Sequence, residues 1–536
     1  MRYLCGFSVL ILLISAAAIS QEPRPLFVPS DQCMACHNSL ITPTGNDVSI
    51  GFDWRPSMMA NSSRDPYWKA GVRREIMDHP GARAEIENEC AICHMPMAGF
   101  EHRTSGRKTP IFSLLAQHQS ATRTGALAND GVSCTVCHQI TDEGMGMKES
   151  FTGHFAMDPQ TGIGQRKVFG RFEIDRGRSK VMSSATGFFP EQASHIGSSE
   201  LCATCHTLYT HALDEKGNVL GQLPEQVPYL EWRHSRYRTT RSCQDCHMPA
   251  IADMPISSVL GQPRTELMQH VFRAGNFFMP RIFARHGDRL RVAASPKELN
   301  AASQDTISHL QTSAARLEIA DMHLASETLT IKLSITNLAG HKLPTAYPSR
   351  RVWLHMIVKD REGKIVFESG KFRPDGSIAG NDNDADPAGY EPHYDVIDNP
   401  EKVQVYESIM VDRNGRPTTG LLSGVRYVKD NRILPEGFDK RTADPDVAVQ
   451  GAAAEDRDFG SGADGITYIV RVTPGTGPYT IEAELWYQPI AYRWAQNLRD
   501  YTAAETERFV SIYESMSGIS AAVLSRVSAR MPSWGH

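Results

Sequence analysis

Apolar residues recur at every second position in four stretches of the second half of the chain. Leu329, Ile331, Leu333 and Ile335 interleave with Thr330, Lys332 and Ser334; Val352, Leu354, Met356 and Val358 make a second run, Ile466, Tyr468, Val470 and Val472 a third, and Tyr479, Ile481, Ala483, Leu485 and Tyr487 a fourth. Successive side chains of a strand point to opposite faces, so a period of two predicts strands with one buried face. The turn sequences Arg361-Glu362-Gly363 and Pro474-Gly475-Thr476-Gly477 punctuate these runs, and together they predict an antiparallel β-sandwich over residues 306–490. Beyond it the spacing turns helical. Ala491–Leu498, Glu505–Met516 and Ala521–Val527 read as two or three helices in a C-terminal segment 491–536.

Residues 21–305 follow a different pattern, broken by Gly, Pro, Ser and charged residues, in which Asp65–Ile92 is the longest helical period and Pro80 interrupts it. The predicted class is therefore α+β: a helical and loop-rich first half, then the sandwich, then the C-terminal helices. Residues 1–20 stand apart. Arg2, an apolar run from Phe7 to Ile19, and the small residues Ala16, Ala17, Ala18 and Ser20 read as a secretory signal cut between Ser20 and Gln21. A retained anchor fits less well, because the run is short and no charge flanks its far side. No later stretch approaches the roughly 20 apolar residues of a membrane-spanning helix, so no stable membrane insertion is expected after cleavage. The expected compartment is the periplasm, with the extracellular or cell-surface side second.

The weakly periodic half carries the chemistry. Cys-x-x-Cys-His occurs five times: Cys33, Cys36, His37; Cys90, Cys93, His94; Cys134, Cys137, His138; Cys202, Cys205, His206; and Cys243, Cys246, His247. With 11 Cys and 20 His in 536 residues, random placement gives about 0.01 such matches. Zinc ribbons and thioredoxin-like pairs also use Cys-x-x-Cys, but neither requires a trailing His five times out of five. In a c-type site the two thiols add to the vinyl groups of one porphyrin and the adjoining His is the proximal iron ligand, so five covalently bound haem c groups are expected. The eleventh Cys, Cys5, lies in the leader, and no thiol remains for a disulfide. The 215 residues from Cys33 to His247 give about 43 per haem, so the porphyrins should supply most of that half's core.

Net charge is −5 before the propionates of the haems are added, which argues against nucleic acid as a partner. An acidic surface suits docking to basic redox partner proteins, whose identity the sequence does not supply.

These motifs, with Trp54-x-x-Ser57-x-Met59-Ala60, make the first half resemble the multihaem c-type cytochromes. That group includes the tetrahaem electron carriers of ammonia oxidisers and, more remotely, the pentahaem nitrite reductases. In the tetrahaem carriers the element reads Trp-x-x-Ser-x-His-Ala and its His is a distal ligand; the resemblance implies that Met59 takes that place or that a ligand is lost. A related element, Trp232-x-x-Ser235 with Tyr237 at the equivalent position, hints at an internal repeat. The stretch Gly340–Arg351 looks like part of a β-domain appended to many bacterial multihaem cytochromes. One departure matters: the nitrite reductases carry Lys at the catalytic haem, whereas all five motifs here end in His.

Further axial ligands are needed if every iron is six-coordinate. Met59, His118, His154, His195 and His270 are the favoured candidates, followed by His341 in the sandwich loop and then His393; His79, His102, His211, His234 and His286 complete the pool. A Met ligand would raise the potential of its haem above that of bis-His neighbours. Lys342, Arg350 and Arg351 could form a cationic funnel beside His341, although ordinary surface charge is the commoner role. Asp382, Asp384 and Asp386 resemble the start of a calcium loop, but Pro387 occupies the Gly place and a solvated acidic loop is the better reading. The expected function is electron transfer by an exported pentahaem cytochrome. The alternatives are an oxidoreductase with one open haem acting on a small nitrogen, sulfur or oxygen compound, and a structural subunit of a respiratory complex or filament.

Overall fold

The computed structural model describes residues 25–532; the leader with its proposed cleavage site lies outside the described residues. The fold is α+β. Two antiparallel-dominated sheets face each other in the second half. The first runs in the order Val396–Ile397, Ala463–Arg471, Thr328–Asn337, Ala315–Ala325, and the second in the order Ile365–Ser369, Arg351–Lys359, Tyr479–Gln488, Ala522–Met531. Only Val396–Ile397 joins in parallel. The four alternating runs form the central strands of both sheets, and Leu329, Ile331, Leu333, Ile335, Leu354, Ile466 and Leu485 are fully buried between them.

Two elements depart from the sequence pattern. Residues 521–527, expected as helix, belong to the strand Ala522–Met531, which pairs with Tyr479–Gln488 along its whole length. Val523, Leu524 and Val527 mimic a helical spacing, but pairing with a buried neighbour overrides that local signal. The edge strand Ala315–Ala325 has no clean alternation because its register against Thr328–Asn337 shifts between Lys332 and Leu333. Residue 306, where the sequence pattern places the start of the sandwich, lies inside the helix Pro296–Ser313. That helix begins at a capping box of Ser295 and Glu298 with Pro296 in its first turn.

In the first half, Pro66–Asp78 and Arg83–His94 are separate helices divided at Pro80. Asp65 caps the first by accepting from the Tyr67 and Trp68 amides. Most other helices here are one turn or two. Four small apolar clusters surround them, whereas one large core runs from the sandwich into helices Phe278–Leu290, Pro296–Ser313 and Ala504–Met516.

Polar contacts close the seam between the halves. Glu75, buried on Pro66–Asp78, accepts from the Leu421 and Leu422 amides at 2.8 and 3.2 Å, and Arg74 donates to Thr419 at 2.6 Å. A carboxylate that accepts two backbone amides recovers much of what burial costs it. The interior packing gives a direct expectation: Leu333→Ala should lower unfolding free energy by about 2–5 kcal/mol in urea titration, without altering the far-ultraviolet spectrum of the folded state.

Candidate functional site

Four of the five motifs sit on or beside short helices that need outside support, since four or five residues do not hold a helix by themselves. Cys33 and Cys202 lie near the ends of Ser30–Met34 and Ser199–Ala203; the second motif closes Arg83–His94; Cys134–Cys137 and Cys243–His247 are themselves single turns. A separation of three places both thiols of a motif on one side of the turn. Four of the adjoining histidines are oriented through Nδ1 by a main-chain carbonyl: His37 with Ile256 at 2.5 Å, His94 with Ser62 at 3.1 Å, His138 with Phe169 at 2.6 Å and His247 with Arg273 at 2.6 Å. Nδ1 then carries the proton and Nε2 keeps a free lone pair. His206 has no such partner among the described residues.

All ten motif cysteines and all five motif histidines line one connected cavity of ≈ 1570 Å³. Thiols of different motifs lie near one another across it: Cys33 by Cys134, Cys93 by Cys205, and Cys202 by Cys243. Cys137 also lies within electrostatic range of Cys202 and Cys205. The fourth motif therefore stands at the centre, bordered by the second, third and fifth, and the first hangs on the third.

Two imidazoles sharing one metal through Nε2 bonds of about 2 Å place their ring centres about 6 Å apart. His138 and His270 have that spacing, 6.3 Å with planes 21° apart, and so do His247 and His341, 6.2 Å and 13° apart. Burial pushes His247 down to about 4 and His270 to about 3, and it lowers His138 and His341 as well. Neutral imidazole is the ligating form. His309, on Pro296–Ser313, is also 6.4 Å from His247 but tilted by 61°. Nothing in the local sequence marks His309, which reaches the cavity only because its helix packs there.

The other candidates are distributed differently. Met59 is half-buried on the cavity wall. His118 is exposed in a turn, and His154 is exposed with its Nδ1 bound to the Phe151 carbonyl at 2.8 Å; neither lines the cavity. His195 lies off the cavity as well, because its Nε2 is taken by the Ile140 carbonyl at 2.8 Å and its ring packs against Phe169. Sequence neighbourhood placed these three near a haem motif, while the side-chain directions set by loop hydrogen bonds turn them elsewhere.

His341 is held on a loop fastened by a buried ionic network. Glu231, fully buried on Pro228–Arg233, accepts from the Lys342 amide at 3.1 Å, from the Thr345 hydroxyl at 2.5 Å and from Arg432 at 2.7 Å. Arg432 and Lys342 also donate to Asp430, at 2.8 and 2.7 Å. Burial would raise the Asp430 carboxyl, but the Arg432 and Lys342 charges overcome it and hold it at about 2. Lys342 is thus no part of an exposed funnel, and neither is Arg351, whose guanidinium is buried against Asp384 at 2.7 Å. Asp384 also accepts from the Ile378 amide and is a buried structural anchor, whereas Asp382 and Asp386 are exposed, as a solvated acidic loop requires. Arg350 alone of the three lines the cavity.

His393 lies away from the cavity, in a buried cluster with Asp456 and Asp464. Its Nδ1 accepts from the side-chain amides of Gln404 at 2.8 Å and Asn431 at 3.1 Å. Those amides are fixed by the backbone: Gln404 Oε1 accepts from Tyr394, and Asn431 accepts from Glu407 and donates to Val405. Nε2 must then carry the proton and donate to Asp456 at 2.9 Å, which removes the lone pair a metal would need.

No family model matches the chain, and no curated protein does. Among solved structures it is similar to a penta-heme cytochrome c552 from Thermochromatium tepidum, with a TM-score of 0.52 and 14% identity over 95% of this chain and 100% of that one. At that identity the likeness concerns the fold.

The Asp430 network sets a pH dependence. A carboxyl held below its unfolded value contributes stability that is present above about pH 4 and is lost as pH falls through about 2. Asp430→Asn should cost about 3–5 kcal/mol at pH 7, measured by urea unfolding, and its deficit should shrink as pH approaches 2, where the native carboxyl is itself protonated.

Proposed function

We propose that this chain is an exported c-type cytochrome with five covalently bound haems, passing electrons between redox partner proteins. One observation carries the reading: a single cavity bordered by all ten motif thiols and all five motif imidazoles. The wall fits a group that brings carboxylates with it. Arg264 Nε and Arg273 Nε, both on residues lining the cavity, are buried without hydrogen-bond partners, and propionates would supply them.

Haem c, when bound, supplies a one-electron change at its iron. The chain's residues do the rest. The paired thiols form the thioether bonds, and His37, His94, His138, His206 and His247 present Nε2 from the proximal side. The Nδ1 bonds to main-chain carbonyls fix four of these rings and raise their basicity. His270 would serve as the second imidazole beside His138, and His341 as the second beside His247, on haems held there. Met59 reaches the wall too, where thioether ligation would make a high-potential site. The nearness of thiols from different motifs would keep neighbouring groups close, which favours transfer in sequence through the fourth motif. Export rests on the sequence pattern of residues 1–20, and among the described residues no helix is long and apolar enough to cross a membrane.

A second reading has its own support. No facing imidazole at the two-ligand spacing stands opposite His37, His94 or His206 among the described residues. Arg350 lies near His206, and the buried Tyr487 hydroxyl on the same wall lacks a partner. An open position there would make the protein an oxidoreductase for a small nitrogen, sulfur or oxygen compound.

Pyridine haemochrome analysis of the purified protein should give five equivalents per chain, and fewer would refute the count. His270→Ala and His341→Ala should each convert one low-spin haem to a high-spin, carbon monoxide-binding one. Unchanged low-spin content in both variants would overturn the ligand assignment. A high-spin haem that binds carbon monoxide in the native protein would favour the oxidoreductase.

A further inference from the structure

Two of the five attachment turns are held by the same pair of hydrogen bonds. Trp54 closes the helix Ile50–Trp54, and its indole Nε1 donates to the Val132 carbonyl at 3.0 Å while the Val132 amide donates to the Met59 carbonyl at 2.9 Å. Trp232, on Pro228–Arg233, donates from Nε1 to the Arg241 carbonyl at 3.0 Å while the Arg241 amide donates to the Tyr237 carbonyl at 2.9 Å. Val132 and Arg241 each stand two residues before the first cysteine of a motif, Cys134 and Cys243. Met59 and Tyr237 each stand five residues after the tryptophan.

The correspondence continues on both sides of the clasp. The Ser57 and Ser235 amides donate to the carbonyls of Trp54 and Trp232 at 2.9 Å in both cases, and both serine hydroxyls cap the turn that follows. Ser133 and Ser242 occupy the N-cap of the two attachment turns. His138 and His247 then bond through Nδ1 at 2.6 Å, and each faces a near-parallel imidazole at 6.3 or 6.2 Å. The chain paths differ widely, since the indole bond spans 78 residues in one copy and 9 in the other. Local sequence does not explain agreement across such different paths. The second motif is threaded into the longer one. Asp31, Asn88 and Glu200, which precede the remaining motifs by the same two residues, have no indole partner among the described residues.

We propose that Trp54 and Trp232 are equivalent positioning residues, one for the haem at His138 and one for the haem at His247. Each clasp sets the tilt of a single attachment turn, and through it the angle at which the motif imidazole meets the iron and the potential of that haem alone. The proposal rests on the haem reading above. A turn of four or five residues has little orientation of its own, so a two-point anchor immediately before it is an effective control.

The test uses the full-length haem-loaded protein carrying Trp54→Phe or Trp232→Phe, which keeps a ring and removes the donor. Amide hydrogen exchange is followed in the peptides 131–138 and 240–247. Loss of one hydrogen bond worth about 1 kcal/mol should speed exchange about five-fold, in the variant's own peptide and not in the other. Electron paramagnetic resonance then reads the two haems separately: the component lost in His270→Ala should shift only in Trp54→Phe, and that lost in His341→Ala only in Trp232→Phe. Faster exchange with both components unmoved, or a shift of both components in either variant, overturns the positioning role. Unchanged exchange overturns the clasp itself. If neither axial variant removes a low-spin component, the ligand assignment fails, and exchange confined to the expected peptide still supports the duplicated clasp. Trp232 is half-exposed, so its variant remains available if the buried Trp54→Phe does not fold.

Discussion

The first half of the chain is organised around a space and not around a packed core of its own side chains. Apart from residues such as Phe151, Tyr209, Leu223 and Leu230 that join the large core of the second half, its apolar residues form four small clusters, and the helices between them are mostly too short to persist alone. What they share is a common wall around the cavity. Whatever fills that cavity must supply apolar contact and partners for the orphaned guanidinium nitrogens of Arg264 and Arg273. Weak periodicity in the sequence and a large internal cavity are two expressions of one fact: this half is built around a space that its five motifs line.

The sandwich supplies the continuous apolar core to which the first half is joined. Its strands, buried on their inner face, anchor a loop that carries His341 back to His247, and the Glu231 network fastens that loop from the other side. Four charged groups buried together are costly unless each is paired. Here Glu231, Lys342, Asp430 and Arg432 satisfy one another and main-chain donors as well. The contribution to stability is secondary to what the network specifies, which is one position of an imidazole relative to a motif in the other half.

Legibility followed the range of the interaction. The central strands could be read because burial on one face imposes a period of two wherever the strand goes. The edge strand Ala315–Ala325 and the terminal strand Ala522–Met531 could not, since a register shift decided the first and pairing with the distant strand Tyr479–Gln488 the second. The Trp-x-x-Ser repeat was visible as a pattern, but its meaning lies in bonds to Val132 and Arg241 that no spacing reveals. Among the candidate axial groups, sequence distance from a motif was a poor guide. His195 lies seven residues before Cys202 and turns its Nε2 to a carbonyl, while His341 lies 94 residues beyond His247 and faces it.

The sequence by itself determined the attachment chemistry that is expected and the inward-facing residues of the sandwich, because both are written as short repeats: five residues for a haem motif and two for a strand. Tertiary structure decided which motif neighbours which, where a second imidazole stands opposite the first, and which charged residues are anchors and not surface. Those outcomes depend on side-chain directions set by hydrogen bonds between distant segments. A period along the chain carries no information about them.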